Sequence, residues 1–346
     1  MVKINPNKID KESIMEAGKI ILEGGLVAIP TETVYGLGAN ALDADGSRKT
    51  YAVKGRPSDN PLIIHIAKFK DLDQIVINKS EKSMLLAEKF WPGPLTMIFE
   101  KSSLVPHGTT GGLESVAVRM PNEKIALAVI EAGGGFVSAP SANISGRPSP
   151  TTAAHVKEDL DGKIEMIIDG GSVEIGLEST VIDMTSNPPT ILRPGAITPC
   201  MIKEVIGEVK VGKSFLADDS KEKPKAPGMK YSHYAPKGEL YIVDGDDIKK
   251  VVLAIQDLVA KELTHNKKVG IIATDETFSC YQKGVVKSIG SRKDANTIAE
   301  NLYRVIREFD EEKVEIIYSE SFSTDGIGEA IMNRLSKAAG GKFIHV

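Results

Sequence analysis

The sequence predicts an α/β protein with two domains, a twisted mixed sheet with flanking helices followed by a smaller, doubly wound parallel α/β domain. The chain has 346 residues, which is enough for two separate cores. In its first two thirds, apolar segments of strand length are interspersed with helical patterns, and several follow one another with no helix between them. From Glu239 onward, strands and helices alternate regularly, which is typical of a parallel sheet.

The larger domain is predicted to begin with a helix that Asp10 caps, because apolar residues follow at helical spacing as far as Gly24-Gly25. Asn122 is predicted to cap a second helix, and Thr198, which precedes a proline, a third. Short apolar runs bounded by Gly and Pro predict strands at 26–29, 62–66, 95–99, 115–120, 136–139, 164–169, 180–184 and 191–193.

In the smaller domain, the predicted strands alternate with long predicted helices. Strands are predicted at 239–243, 268–273, 314–318 and 343–346, and helices at 247–263, 294–309 and 326–339. The stretch before it, from Gly212 to Pro227, is rich in Lys, Asp, Glu, Ser and Pro, a composition typical of a solvated linker. We therefore expect a catalytic domain over 1–211, a linker over 212–237 and a second domain over 238–346.

Composition narrows the classes of protein that this chain can belong to. The net charge of −4, with no basic block, argues against tight sequence-independent binding to nucleic acid. Cys200 and Cys280 lie far apart in no C-x-x-C pair, which argues against a zinc ribbon or a disulfide scaffold. The sequence shows neither a signal peptide nor an apolar run of the roughly 20 residues that span a bilayer, so we expect a cytoplasmic protein and no membrane partner.

The segment Gly207 to Ser214 matches the phosphate-loop pattern G-x-x-x-x-G-K-[S/T]. That loop needs a strand before it and a helix that begins at its Lys-Ser. Here a predicted helix precedes the string, Val209-Lys210-Val211 has an extended pattern, and the linker follows. We therefore predict that it is not a phosphate loop.

A second basic segment, Lys54 to Pro61, is a better candidate for binding phosphates. Gly55 and Pro57 are predicted to break the helix, and in extended chain Lys54 and Arg56 would face the same way. Two cations on one side suit a polyphosphate, with Lys as a point charge and Arg as a fork. The alternative is an exposed basic turn.

Other polar residues follow predicted strands, where α/β folds place ligand-binding loops. These segments are Pro30 to Gly38 and Ser141 to Gly146, and each could equally be an ordinary turn. His65 is typical of a hydrogen-bonded core histidine. Ser115 and Arg119 share one face of a predicted strand, which places a hydroxyl and a guanidinium on the same side.

The end of the linker, Pro227 to Pro236, is unusual because it contains two tyrosines, a histidine and a lysine. Such a segment could be a hinge that docks on a neighbouring domain. It could also be a lid that closes over a ligand, since site-closing loops often lie between domains.

Taken together, these motifs resemble the threonylcarbamoyl-AMP synthase family, in the long form that carries a YrdC-like catalytic domain and a C-terminal domain. The resemblance rests on strings that occur in family order: 30–38, 54–61, 91–96, 117–121, 139–150, 176–181, 193–195 and 226–236. The C-terminal third resembles the family in length and in the string 330–335.

The resemblance implies a YrdC-like fold and a two-stage reaction. L-threonine and bicarbonate form a carbamate, which attacks the α-phosphate of ATP to give threonylcarbamoyl-AMP and pyrophosphate. It also implies a threonine site at Thr33, His65, Arg119, Ala139 and Ser179. The implied ATP site comprises Lys54, Arg56, Asn60, Ser115, Ser141, Asn143, Ser149, Arg193 and, from the linker, Tyr231; Lys54 and Arg56 are the expected catalytic residues.

Cofactor and partners follow from the same resemblance. We expect Mg²⁺ to arrive with ATP, because the sequence shows no Asp/Glu cluster with metal-ligand spacing. The product is expected to pass to other proteins that complete tRNA threonylcarbamoyladenosine, and the resemblance leaves room for a weak direct tRNA contact. The alternatives are a double-stranded RNA or tRNA-binding module without chemistry and a related carbamoyl transferase that acts on another acceptor. The net negative charge disfavours the nucleic-acid-binding module. The lack of cysteines spaced as in a metal finger disfavours the carbamoyl transferase.

Overall fold

The computed structural model describes residues 1–212, 224–227 and 234–346, which form two compact units. The first unit comprises 1–145, 149–212 and 224–227, and the second comprises 146–148 and 234–346. Most of the predicted linker, including Tyr231, lies outside the described residues. In the part of the chain that is described, no helix has both the length and the apolarity to cross a bilayer.

The first unit is built on one mixed sheet. Its strand order is β1-β8-β2-β3-β7-β4-β6-β5-β9-β10-β11, with parallel and antiparallel neighbours interspersed. The strands are β1 (Val2–Lys3), β2 (Val27–Ile29), β3 (Gly36–Asn40), β4 (Ile63–Ile66), β5 (Leu95–Glu100), β6 (Ser115–Arg119), β7 (Phe136–Ser138), β8 (Met166–Asp169), β9 (Thr180–Asp183), β10 (Thr190–Arg193) and β11 (Lys210–Val211).

Helices cover both faces of this sheet. They are α1 (Lys11–Leu22), α2 (Ala44–Lys54), α3 (Leu72–Ile75), α4 (Glu81–Phe90), α5 (His107–Thr110), α6 (Lys124–Ala132), α7 (Ala153–Leu160) and α8 (Pro199–Ile206), with a 3₁₀ turn at Phe69–Asp71. Alternate residues of β2 show the two faces. Val27 and Ile29 pack in the core that contains α1 and α6, whereas Ala28 packs in the core that contains α7. The predicted mixed sheet with flanking helices is confirmed.

Three local predictions for this unit were wrong. Gly36 to Asn40 form a strand rather than part of a loop, and α6 is capped by Glu123, whose carboxylate accepts from the Ala126 amide at 2.6 Å, not by Asn122. Lys54 is the last residue of α2 rather than extended chain, because the helix ends only at Gly55, which has φ 59°. The helices α2, α3, α4, α5 and α7 were not predicted.

The structure supports the argument against a phosphate loop at 207–214. Helix α8 ends at Ile206, just before the string, and the short strand β11 lies inside it. A phosphate loop has the opposite order, with the strand first and the helix after. Residues 213 and 214 lie outside the described part of the chain.

The second unit is a parallel sheet with the order β14-β13-β15-β12-β16. Its strands are β12 (Glu239–Asp244), β13 (Val269–Ala273), β14 (Val285–Ser288), β15 (Ile316–Glu320) and β16 (Phe343–His345), and its helices are α9 (Ile248–Thr264), α10 (Ala295–Glu311) and α11 (Gly328–Ala338), with a 3₁₀ turn at Phe278–Cys280. The strand β14 was not predicted.

This sheet is wound on both faces, as predicted. Val269 and Ile271 of β13 belong to the core that contains α9. Gly270, which points the other way, lies so close to Phe309 of α10 that a Cβ there would be 2.7 Å from its ring. After β13 the chain continues to β14, at one edge of the sheet. After β15 it continues past β12 to β16, at the opposite edge. The winding direction therefore changes between the neighbouring strands β13 and β15.

Candidate functional site

The loop after β2 carries three polar residues that are nevertheless buried: Thr31, Glu32 and Thr33. The hydroxyl of Thr31 accepts from the amides of Thr33 and Val34 at 3.2 Å each and donates to the Val34 carbonyl at 2.6 Å. The Thr31 side chain thus closes the turn and satisfies two backbone N–H groups that would otherwise need water as a partner. It fixes the side chains of Glu32 and Thr33 inside the unit.

Arg119, the last residue of β6, is 4% exposed and reaches this loop. Its Nη1 donates to Thr33 Oγ1 at 2.8 Å, its Nε donates to the Gly93 carbonyl at 3.2 Å, and its Nη2 lies 2.7 Å from Glu32 Oε1. A buried guanidinium requires such partners because desolvation of a charge is costly. The contacts hold Arg119 in one orientation.

His65 lies beside Arg119, because the two residues are in register on the parallel strands β4 and β6. Its Nδ1 is 3.3 Å from the Ile63 carbonyl, which also accepts from the Ala139 amide at 3.0 Å. Burial, and secondarily the charge of Arg119, lowers the pKa of His65 to about 3. The imidazole is therefore neutral at physiological pH and can serve as a polar contact without adding charge.

Ser179 and Arg193 continue this cluster. Ser179 Oγ is 2.7 Å from Thr96 Oγ1, and Thr96 is paired with Arg119 across β5 and β6. Arg193 is also buried, and it donates to the carbonyl of Ser179 at 3.0 Å and to its hydroxyl at 3.1 Å. The structure thus brings together Thr33, His65, Arg119, Ala139, Ser179 and Arg193.

A second cluster forms around Lys54, which is 1% exposed. Its ammonium donates to the carbonyl of Ser141 at 2.5 Å and to that of Asn143 at 2.6 Å. The carbonyl of Lys54 in turn accepts from the Ser145 amide at 2.9 Å. The predicted convergence of the Lys54 segment and the Ser141–Asn143 segment is therefore present, and the lysine itself joins the two.

Arg56 follows Gly55, which has a left-handed backbone conformation, and its side chain makes hydrogen bonds separate from those of Lys54. Its Nη2 donates to Asn60 Oδ1 at 2.7 Å and to the Pro61 carbonyl at 2.9 Å. Ser149 donates to Glu178 Oε1 at 2.5 Å. Ser115 lies at the other end of β6 from Arg119, paired with Glu100, and within the described residues no hydrogen bond joins its hydroxyl to either cluster. Tyr231 lies outside the described residues.

Two acidic side chains in this region were not singled out from the sequence, Glu32 and Glu178. Both are buried, at 4% and 8% exposure. The only sequence signal is their position next to predicted site residues in loops that adjoin strands. Among the residues that the structure describes, no group of three or more His, Cys, Asp or Glu side chains could hold a metal ion.

The charge of the site is its main chemical property. Lys54, Arg119 and Arg193 are each at most 5% exposed, within a chain whose net charge is −4. Arg119 and Arg193 end strands and Lys54 ends a helix, and buried cations suit an anionic ligand, which they can hold by charge-assisted hydrogen bonds in a medium of low polarity. The arrangement can therefore bind carboxylate and phosphate groups and stabilise negative charge that develops between them.

Comparisons with known proteins match nearly the full length of the chain. Residues 19–195 match the Sua5, YciO and YrdC family model described as "Telomere recombination", and residues 197–340 match the model described as "Threonylcarbamoyl-AMP synthase, C-terminal domain". The threonylcarbamoyl-AMP synthase of Pyrococcus abyssi is 48% identical over 98% of this chain and 97% of its own length. That of Bacillus subtilis is 48% identical over 96% of this chain and 94% of its own length.

A solved structure is similar to this chain over its full length. The P. abyssi Sua5 protein, crystallised in complex with L-threonine, superposes with a TM-score of 0.94 at 47% identity, covering 100% of this chain and 99% of the other. The agreement therefore extends from the first unit through the second. The chain belongs to the threonylcarbamoyl-AMP synthase family, with a Sua5/YrdC domain followed by the family's C-terminal domain.

Proposed function

We propose that this chain forms threonylcarbamoyl-AMP, pyrophosphate and water from ATP, L-threonine and bicarbonate, and that the clusters around Arg119 and Lys54 are the amino-acid side and the nucleotide side of one site. Membership of the family makes the chain an enzyme that uses ATP and threonine to make an AMP-linked intermediate. The observation that carries the division into two sides is the buried, oriented guanidinium of Arg119 among Thr33 and His65.

On the amino-acid side, Arg119 would bind the threonine carboxylate, since a guanidinium matches the geometry of that group. Neutral His65 and the Thr33 hydroxyl would bind the side-chain hydroxyl without competing for the carboxylate. Ser179 and the backbone at Ala139 would complete the pocket. Arg193 donates to Ser179, which supports a position for that arginine where amino acid and nucleotide meet.

On the nucleotide side, Lys54 is a buried cation that holds the Ser141–Asn143 turn in place. We propose that the two segments cradle the phosphates, with Arg56, Asn60, Ser115, Ser149 and Arg193 as further contacts and Tyr231 as a residue of the closing linker. Attack of the carbamate on the α-phosphate adds negative charge around phosphorus, so positioning and electrostatic stabilisation would supply most of the rate.

Mg²⁺ is proposed to enter as part of the ATP substrate, where it neutralises phosphate charge. Such an ion would keep most of its waters and be held mainly by the phosphates. The product is a reactive mixed anhydride. A transferase that modifies tRNA is the proposed consumer, and any direct tRNA contact would be weak given the charge of −4.

The reaction is tested by following pyrophosphate release from ATP with L-threonine, bicarbonate, both or neither. Release is expected only when both are present, together with a product that contains adenosine and threonine by mass spectrometry. Equal release without either co-substrate would falsify the proposed function.

The role of Lys54 is tested by Lys54→Met, with Lys49→Met as the matched control on the same helix. Lys49 donates to the Gly24 carbonyl at 2.6 Å and has no part in the site. We expect turnover to fall by at least about 100-fold in Lys54→Met, since removal of one preorganised donor costs that much in other enzymes, and to change less than about twofold in the control. A near-normal rate in folded Lys54→Met, checked by circular dichroism, would remove Lys54 from the phosphate site.

A further inference from the structure

We propose that Glu32 is a specificity-determining residue that accepts the α-ammonium of the substrate, so that Glu32 and Arg119 together select a zwitterionic α-amino acid. This inference rests on the proposed function, because it assigns a further residue to the same amino-acid side. It is carried by a buried carboxylate that is paired with Arg119 but accepts no hydrogen bond.

The environment of Glu32 is unusual for a buried carboxylate. Its side chain is 4% exposed, and among the described residues neither oxygen accepts a hydrogen bond. Its one charged contact is the 2.7 Å approach of Oε1 to Arg119 Nη2. An ionised carboxylate can accept about four hydrogen bonds, and buried carboxylates are normally satisfied because each lost acceptor costs free energy. The acceptor sites of Glu32 therefore suit a donor that the described chain does not supply.

Arg119 has matching capacity on its own side. A guanidinium has about five N–H donors. Gly93 and Thr33 each take one and a third lies toward Glu32, which leaves donors on the Nη atoms for a ligand carboxylate. The unused donors and the unused acceptors thus lie next to each other, at the ends of one ion pair.

An α-amino acid has the complementary arrangement. One carbon separates its carboxylate from its ammonium, so a ligand held by Arg119 through the carboxylate brings its ammonium close to the group that contacts Arg119. The charges also balance, because a zwitterion adds no net charge to the pair. A carboxylate without an ammonium would instead place a second negative charge beside Glu32, which is a repulsive element against the wrong ligand.

Specificity is tested by comparing L-threonine with 3-hydroxybutyrate, the same carbon skeleton without the amino group, by isothermal titration calorimetry without ATP. In the wild type, L-threonine is expected to bind at least about 100-fold more tightly. In Glu32→Gln, the affinity for L-threonine should fall at least about tenfold, while that for 3-hydroxybutyrate stays the same or rises. The preference between the two ligands is thereby reduced.

Glu123→Gln is the matched control. Glu123 is a nearby carboxylate that caps α6 by accepting from the Ala126 amide, and glutamine retains an acceptor there. Both affinities should stay within about twofold. An equal loss for both ligands in Glu32→Gln would overturn the proposal, because that is the result of a packing role alone, and so would no loss for either.

The wild-type comparison keeps the proposal testable if Glu32→Gln fails to fold. Comparable affinities of the wild type for L-threonine and 3-hydroxybutyrate would contradict it without any variant. These measurements use binding alone, so they fail or succeed independently of pyrophosphate release. A wild type that prefers L-threonine but makes no product would contradict the proposed function and leave the role of Glu32 standing.

Discussion

Each unit of this protein buries a glutamate beside an arginine, and the two pairs differ in how completely they are satisfied. Glu320, at the end of β15, is fully buried and accepts from Thr277 at 2.5 Å, Tyr281 at 2.8 Å and Arg292 at 2.6 Å. Glu32 has Arg119 at 2.7 Å and no hydrogen-bond donor among the described residues. The hydrogen-bonding capacity of Glu320 is filled by residues of the same unit, whereas that of Glu32 is not filled by the described residues.

This difference separates a structural pair from a binding pair. A buried charge with all its partners rigidifies the core around it, and the network at Glu320 lies where β13 and β15 end, at the change of winding direction. A buried charge with empty acceptor sites is retained at a cost in stability, which a ligand can offset when it binds. Hydrogen-bond satisfaction, more than burial, therefore distinguishes the two glutamates.

The largest expected effect is that of removing the partner of the less satisfied carboxylate. Arg119→Met should lower the free energy of unfolding by about 3–5 kcal/mol, because it leaves Glu32 as an uncompensated buried charge. Arg292→Met should cost only about 1–3 kcal/mol, because Glu320 keeps its hydroxyl donors and Arg292 is partly exposed. Urea denaturation of both variants measures the difference. Equal losses would mean that hydrogen-bond satisfaction does not separate the two pairs.

An intermediate effect on the free energy of unfolding is expected when the pH is lowered, because His65 in the first unit titrates differently in the folded and unfolded states. Its pKa is about 3 in the folded state and about 6.5 when unfolded. The unfolded chain therefore binds more protons below pH 6.5, so stability falls as the pH drops and levels off below about pH 3. The loss at pH 5 should be on the order of 2 kcal/mol. Urea denaturation at pH 7.5 and pH 5 should show a smaller pH dependence in His65→Gln than in the wild type; identical slopes would contradict a neutral buried imidazole.

The smallest effect is expected at the satisfied carboxylate. Glu320→Gln keeps an acceptor for Thr277 and Tyr281 but loses the charge that pairs with Arg292, so it should cost about 1–2 kcal/mol. Because the pair is structural, kcat and the KM for L-threonine should stay within about twofold in a steady-state pyrophosphate assay. A large change in KM would show that this network contributes to substrate binding.

Much of the fold could be predicted from the sequence, and the exceptions have physical reasons. The strand β3 carries Gly36 and Gly38, which no local pattern assigns to a strand. The sheet requires them, because a Cβ on Gly38 would lie 3.1 Å from both Val137 Cγ1 and the Val27 carbonyl, and one on Gly36 would lie 3.1 Å from Ala139 Cβ. Helix α2 was missed because its buried face is largely polar or small, with Ser47, Thr50 and Lys54 among its members, so apolar periodicity gives no signal.

The site was predictable to the extent that its residues resemble ligand-binding groups in loops after strands. The convergence of Lys54 with Ser141 and Asn143 was predicted, although the structure shows that Lys54 approaches from a helix end and binds backbone carbonyls. Glu32 was not singled out because a glutamate between two threonines is ordinarily solvated. Its burial depends on Arg119, which lies on a strand far along the chain, and no local pattern carries that information.

The hydrogen bonds that assemble the two clusters span long stretches of sequence. Arg119 and Thr33 are 86 residues apart, Lys54 and Asn143 are 89, and Thr96 and Ser179 are 83. Contacts between residues so far apart in sequence carry a loop-closure entropy cost, which the packing of the surrounding sheet must offset. Neither cluster is therefore contained in one short, continuous segment of the chain. A ligand that binds only the assembled clusters therefore stabilises the folded state of the first unit by mass action.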